Sequence, residues 1–381
     1  MRVVELFAGI GSQRMALTLA GIPHEVVAIS EIDRHALASY EAIWGDCPNM
    51  GDITEVEALP PCDLVTYSFP CQDLSLAGKR AGMGEGTRSG LVWHVLRLLE
   101  GMAERERPEW LLMENVPQVL TAPEWPELVG RLSAMGYRNK WGKADSSRFG
   151  SAQKRVRAFM VSRLNADPPE IPESAPNAPA LCLRDVMEPE RGERYIRRIP
   201  LDRIRWREPK NKSGAFGPGE ATPMAEDSAE SYYTYRSLYS SLSSSPTLRR
   251  QGEHGFMGHP KVIEVAADWD RAKSREMSNR LYSSFSTSPT VLARGGGGRD
   301  VKVICGMEGD AVRVDILTPR EYWRLMGFPD WAFIRASRVS SETQLYNQAG
   351  NSIVVEVLIA IFNSMFRPPK RRVQMTLEAL A

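Results

Sequence analysis

Cysteine is scarce in this chain of 381 residues: there are five, an odd number, and no two form a C-x-x-C pair. That pattern argues against a disulfide framework and against a zinc site, and for a reducing cytoplasm. The five histidines are scattered without metal-ligand spacing, so no metal is expected. Long apolar runs are missing as well. No stretch approaches the roughly 18 residues of a membrane span, and the first residues lack a basic-then-apolar signal pattern. Charge of one sign is not in excess either: 48 basic against 47 acidic residues leave a net charge of +1. Composition therefore does not announce a nucleic-acid partner, and any such claim has to come from local charge. What remains is a soluble globular composition, 43% hydrophobic and 25% charged, with length enough for two domains.

The most informative stretch runs from Asp63 to Ser75. Leu64-Val65-Thr66-Tyr67 suits a buried parallel strand, and Pro70 ends it. Cys71 then stands just past a strand's carboxyl end, where open α/β sheets gather ligands and reacting groups. The glycine-rich, charged loop Gly78–Gly86 follows. A cysteine at the root of such a loop is a candidate nucleophile, although a lone cysteine is more often a small buried apolar residue.

Around this centre the chain alternates strands and helices. Val3–Leu6 reads as a strand, Gly9-x-Gly11 as a turn that lets a ligand approach the backbone, and Ser12 as the start of a helix. Alone that glycine pair fits many nucleotide folds. A second strand, Glu25–Ser30, ends at Glu31, where doubly wound domains bind ribose hydroxyls and where an ordinary solvated Glu is equally at home. Gly51-Asp52-Ile53-Thr54 sits at the tip of an expected third strand, with Asp52 equally able to cap Thr54–Ala58. A helix over Ser89–Met102 leads to the strand Glu109–Pro117, and Glu114 near its end should have a raised pKa, which suits a proton donor. Arg155 and Arg157 alternate on one face of a further strand; unaided, they read as a basic edge strand. Thr318 should cap a helix with Pro319 in its first turn, and a last apolar helix covers Ile353–Phe366.

Residues 165–180 carry five prolines and read as a linker. Beyond it, Arg191–Lys212 holds nine basic and three acidic residues with Tyr195 and Trp206 interleaved, a face suited to phosphates. The segment Leu238–Leu248 recurs as Leu281–Val291, each copy holding Ser-Pro-Thr and followed by a β-like run. Two copies are too few for a solenoid. They predict a small β-rich domain of two related hairpin units with Arg249, Arg250, Arg294 and Arg299 in its loops.

The order of motifs resembles the DNA cytosine-5 methyltransferases of bacteria and phages. Phe7-x-Gly9-x-Gly11, Glu31, Gly51-Asp52-Ile53, Pro70-Cys71-Gln72, Glu114-Asn115-Val116, Gln153-x-Arg155-x-Arg157, Thr318-Pro319-Arg320-Glu321 and Gln348-x-Gly350-Asn351-Ser352 occur in family order. One departure is Gly150-Ser151-Ala152, where many relatives have Gly-x-Pro. The resemblance implies a doubly wound, mostly parallel α/β sheet of the Rossmann-like class I type. It implies a discontinuous catalytic domain (1–165 and 313–381), a linker (166–180) and a β-rich target-recognition domain (181–312). It implies S-adenosylmethionine as cofactor, held by Phe7, Gly9, Gly11, Glu31, Ile32, Asp52, Ile53, Pro70, Asn351 and Ser352. Cys71, Glu114, Arg155 and Arg157 would do the chemistry on a cytosine flipped out of double-stranded DNA, with Gln72, Ser75, Arg249, Arg250, Thr290 and Arg294 against the nucleic acid. A monomer in a bacterial or phage-infected cytoplasm, without metal or membrane, completes the expectation. A tRNA methyltransferase on the same fold and a catalytically silent DNA-binding relative are the alternatives.

Overall fold

The computed structural model describes residues 1–70, 83, 87, 89–200, 206–207, 263–265, 280–284, 287–291, 301–309 and 311–367. They form two compact units. The first takes the described residues of Met1–Gly150, Arg155–Pro179 and Ser352–Ala381; the second takes those of Ser151–Lys154 and Ala180–Asn351.

In the first unit, strands and helices alternate: β1 (Arg2–Leu6), α1 (Ser12–Leu19), β2 (Glu25–Ser30), α2 (Arg34–Trp44), β3 (Leu64–Tyr67), α3 (Val92–Gly101), β4 (Trp110–Asn115), α4 (Trp125–Ala134), β5 (Tyr137–Asp145) and β6 (Val156–Leu164). The sheet order is β2-β1-β3-β4-β6-β5. The first four neighbours run parallel, and β6 runs antiparallel to both β4 and β5. All six residues of β4 and all four of β3 are buried, as a strand covered on both faces requires. The chain moves from β1 to one side for β2 and to the other for β3, so the crevice of a doubly wound sheet opens beyond β1 and β3. The helix Val355–Phe366 packs on α1.

Three expectations change here. β6 lies inside the sheet, so the two arginines do not belong to an edge strand. The third strand before Gly51 shrinks to one parallel bridge between Ile29 and Asn49. Asn49 replaces the ladder with its side chain, accepting from Glu31 N at 3.1 Å and donating to Glu31 O at 3.0 Å. The proline-rich stretch is no free linker: Ile171 is buried beside Gly142 of β5, and Ala175 N donates to Arg148 O at 3.0 Å.

The second unit holds a six-stranded sheet in the order β7-β12-β11-β10-β9-β8. Its strands are β7 (Ile196–Pro200), β8 (Trp206–Arg207), β9 (Ile263–Val265), β10 (Arg280–Ser283), β11 (Lys302–Glu308) and β12 (Ala311–Ile316). Neighbours are antiparallel except β10 and β11, which run parallel. The second repeat copy supplies β10 and the run after it supplies β11, so that unit is not a hairpin; a parallel pair needs a crossover. The first copy lies outside the described residues. Residues 313–351, expected with the first unit, pack with the second. Their anchor is the buried Arg191, 3.0 Å from Asp315 and 2.9 Å from Glu321. Glu321 also closes a capping box with Thr318 at the start of the helix Pro319–Leu325.

By length and composition alone the segment Glu342–Phe366 is apolar and long enough to cross a membrane, although no such run is expected from the sequence. It is two helices parted at residues 352–354, and 61% of its apolar window is buried inside the protein, as in a core helix.

Candidate active site

The loop after β1 is built for close approach. Phe7, Gly9 and Gly11 all have positive φ, +57°, +57° and +83°. A Cβ on Gly9 would meet nothing within 4 Å, whereas one on Gly11 would lie 2.6 Å from Trp44 Nε1 and 2.9 Å from Tyr40 Cε2. One glycine therefore faces open space, and the other is required by packing.

Beneath the loop lies a polar group that the sequence pattern interrupts but does not explain. Glu5, fully buried in β1, accepts from Arg14 N and Tyr40 Oη, both at 2.8 Å. Arg14 is the third residue of α1, whose own cap, Gly11, has no side chain, so Glu5 supplies the missing acceptor. Arg14 Nη1 donates to Tyr40 Oη at 3.2 Å, and Trp44 Nε1 donates to Ile10 O at 3.2 Å. Burial pushes the Glu5 carboxyl up to about 7.

Glu31 follows β2, and one of its carboxylate oxygens accepts from Gly9 N at 2.8 Å while the other accepts from Ile32 N and Asp33 N. Ile32 beside it is 72% exposed, an apolar side chain with no cover of its own. Asp52 caps a turn, accepting from Thr54 N at 2.9 Å and Thr54 Oγ1 at 2.8 Å, and these bonds hold its carboxyl below the usual range. Ile53 is buried in the core, so its backbone alone can face a ligand. Exposed Ile32, a carboxylate on the loop amide and the open side of Gly9 fit an adenosine with a methionine tail.

At the ends of β3 and β4 a second group gathers. Asn115 Nδ2 donates to Phe69 O at 3.0 Å, and Ser89 Oγ donates to Pro70 O at 2.8 Å. These bonds fix the backbone that leads to residue 71. Cys71, Gln72 and Ser75 themselves lie outside the described residues, as do Arg249, Arg250 and Arg294.

Glu114 is 9% exposed and paired with Arg157, Nε to Oε1 at 3.4 Å. Burial raises its pKa, opposed by Arg157, by Arg155 and by a hydrogen bond from Ser68. Arg155, 5% exposed, donates through Nη2 to Ser352 O at 3.1 Å. One residue on, Ile353 N donates to Ser12 Oγ at 3.2 Å, which brings this late segment beside Gly11. Asn351 ends the helix Glu342–Asn351 in the second unit and is exposed.

Within the second unit, Gln153 is fully buried and Thr290 Oγ1 donates to Lys154 O at 3.0 Å. Ser288 pairs with residues 152–154 through its backbone, so the second Ser-Pro-Thr segment docks on the Gln153 motif. Ser151, at the departure from Gly-x-Pro, gives its hydroxyl to Leu325 O at 3.0 Å. Sequence reasoning missed Glu5, Gln13, Tyr40 and Ser68; only Glu5, a charge inside an apolar strand, left a visible signal.

The fold is similar to that of the solved S. pombe Dnmt2 methyltransferase, with a TM-score of 0.61 at 20% identity, covering 97% of this chain and 99% of that one. A putative DNA modification methyltransferase from an E. coli prophage gives a TM-score of 0.58 at 18% identity, over 96% of this chain and 98% of that one. This likeness shows the fold, the doubly wound, mostly parallel sheet of the class I type. The family model for C-5 cytosine-specific DNA methylases matches residues 1–367, and the chain belongs to that family. The Lactococcus lactis type II methyltransferase M2.ScrFI is 28% identical over 427 residues, 96% of this chain and 99% of its own length. The Spiroplasma monobiae orphan methyltransferase M.SssI is 44% identical over 124 residues, 31% of this chain and 32% of its own. The protein is accordingly an enzyme that transfers a methyl group from S-adenosylmethionine to C5 of cytosine in DNA.

Proposed function

We propose that the chemistry runs through Cys71, Glu114, Arg155 and Arg157. Cytosine C5 is a poor nucleophile. Addition of the Cys71 thiolate to C6 forms a C–S bond, and the displaced electron pair reaches N3, where Glu114 delivers a proton. C5 is then enamine-like and attacks carbon. The cofactor, when bound, would supply the electrophilic methyl group that C5 takes. Loss of the C5 proton to a base, return of the N3 proton to Glu114 and departure of Cys71 as thiolate restore the aromatic base. Arg157, with Arg155 behind it, contacts the base oxygen and favours the thiolate.

The observation that carries this reading is the buried Glu114–Arg157 pair, 3.4 Å apart. It stands near the end of β4, where Asn115 holds the carbonyl of Phe69, two residues past β3. A carboxyl poised between burial and two guanidinium groups suits a donor that must give up its proton. For the cofactor, Phe7, Gly9, Gly11, Glu31, Ile32, Asp52, Ile53, Pro70, Asn351 and Ser352 would form the cradle, Glu31 taking the ribose hydroxyls and Asp52 the adenine amino group. Gln72, Ser75, Arg249, Arg250, Thr290 and Arg294 would face the duplex. The enzyme would act as a monomer on one duplex, in the cytoplasm of a bacterium or phage host. Family membership favours DNA over tRNA and over a silent DNA-binding relative.

Bisulfite sequencing of plasmid DNA from cells expressing the chain, beside Cys71→Ala, tests it. Methylcytosine in one short repeated context with the intact protein, and none with the variant, is expected. Cofactor binding should persist in Cys71→Ala. Methylation by that variant would sink the mechanism.

A further inference from the structure

We infer that Ser68 and Gln13 are positioning residues for Glu114, aiming the proton donor and tying it to the helix that follows the cofactor loop. The inference deepens the reading above and rests on it for the role of Glu114.

Ser68 follows β3 and stands three residues before Cys71. Its hydroxyl accepts from Gln13 Nε2 at 3.3 Å and is hydrogen-bonded to Glu114. A hydroxyl has one proton to donate. With Gln13 donating into the oxygen, that proton is directed at the carboxylate. Gln13 is itself 3% exposed and is the second residue of α1, two positions after Gly11. A three-member chain therefore runs from the cofactor loop's helix to the end of β4.

Among the described residues, the groups that face Glu114 are Arg157 in β6, Arg155 just before it and Ser68 just past β3. All three favour the carboxylate, and burial favours the acid. The arginines also have other partners: Arg155 gives a proton to Ser352 O and Arg157 one to Val156 O. With Gln13 donating into its oxygen, the serine hydroxyl turns its one proton to Glu114 and so sets the direction of that carboxyl as well as its charge. Removing it leaves the carboxylate less favoured, and the acid form persists to higher pH.

The test uses the full chain with Ser68→Ala, Ser68→Thr and Gln13→Leu. Single-turnover methyl transfer to a DNA duplex is followed across pH, and cofactor binding is measured separately by titration calorimetry. Carboxyl NMR of Glu114, assigned with Glu114→Gln, follows the same titration in cofactor-free protein. Ser68→Ala should slow transfer on the order of tenfold, the worth of one bond to a charged group, and shift the alkaline limb to higher pH. The NMR midpoint should rise with it, cofactor affinity should hold, Ser68→Thr should restore both, and Gln13→Leu should move both in the same direction as Ser68→Ala. An even loss at all pH with an unmoved midpoint would overturn the inference, because that is how a packing defect behaves. If the wild type transfers no methyl group at all, the functional reading falls, while the NMR midpoint still decides whether Ser68 governs Glu114.

Discussion

One added methyl group at each of two glycines in the same loop separates packing from ligand approach. In Gly11→Ala the new Cβ would sit 2.6 Å from Trp44 Nε1 and 2.9 Å from Tyr40 Cε2, on a backbone at φ +83°. The left-handed backbone costs about 1–2 kcal/mol and overpacking about 1–3 more. Displacing Trp44 also forfeits its 3.2 Å bond to Ile10 O, worth about 1 kcal/mol. The sum is about 3–6 kcal/mol. In Gly9→Ala, at φ +57° with nothing within 4 Å, only the backbone term of about 1–2 kcal/mol applies. Thermal melting of both variants, with and without S-adenosylmethionine, reads the difference. Ligand at 100 times its Kd stabilises a native protein by about 2.7 kcal/mol. Gly11→Ala should melt well below Gly9→Ala without cofactor. Gly9→Ala should melt near the wild type and lose most of the cofactor-induced rise, because its methyl group enters the open space. Equal melting points would refute the clash with Trp44. A full cofactor rise in Gly9→Ala would show that the open space is not the ligand's.

Two further outcomes bear on stability. Glu5 is raised from 4.5 to about 7 by burial, so between those values the folded state holds a proton that the unfolded state has lost. Its contribution is present below the unfolded pKa and is lost as pH rises through the folded one, about 3 kcal/mol over the window. Wild type should therefore lose stability against Glu5→Gln between pH 5 and pH 8 in parallel denaturant titrations; curves that stay parallel would dismiss the burial argument. In the second unit, Arg191→Ala leaves Asp315 and Glu321 buried without their shared cation. Such a loss costs about 3–5 kcal/mol, and limited proteolysis should cut within 180–351 first; an unchanged digestion pattern would mean that the cluster is not what holds this region.

The first unit was legible wherever an apolar run ended in a proline or a polar residue. Leu64–Tyr67 before Pro70, Trp110–Met113 before Glu114 and Val27–Ser30 before Glu31 all ended as strands with their polar residues at the carboxyl end. Arg155 was misread because its burial depends on Ser352 O, 197 residues further along, which no local pattern reveals. The third strand failed because Asn49 satisfies Glu31's backbone with its side chain, a substitution that periodicity does not register. Prolines at 168–179 suggested a spacer, yet proline-rich backbone needs few partners and lies along β5 once Ile171 finds a pocket. Ser68 and Gln13 gave no signal, since neither has meaning until β3 and α1 meet.

The contact between α1 and the helix Val355–Phe366 imposes a schedule on synthesis. Arg155 leaves the ribosome long before Ser352, whose carbonyl it needs, and Ser12 waits longer still for Ile353. At about 5–20 residues per second, those 197 residues take roughly 10–40 s. During that interval the nascent first unit carries its nucleotide loop and Glu114 but lacks the segment that steadies both. A polypeptide interrupted before residue 352 would carry all six strands of the first sheet yet lack the Ser352 carbonyl and the helix that packs on α1, so a fragment of the enzyme would be left without the pieces that steady its site.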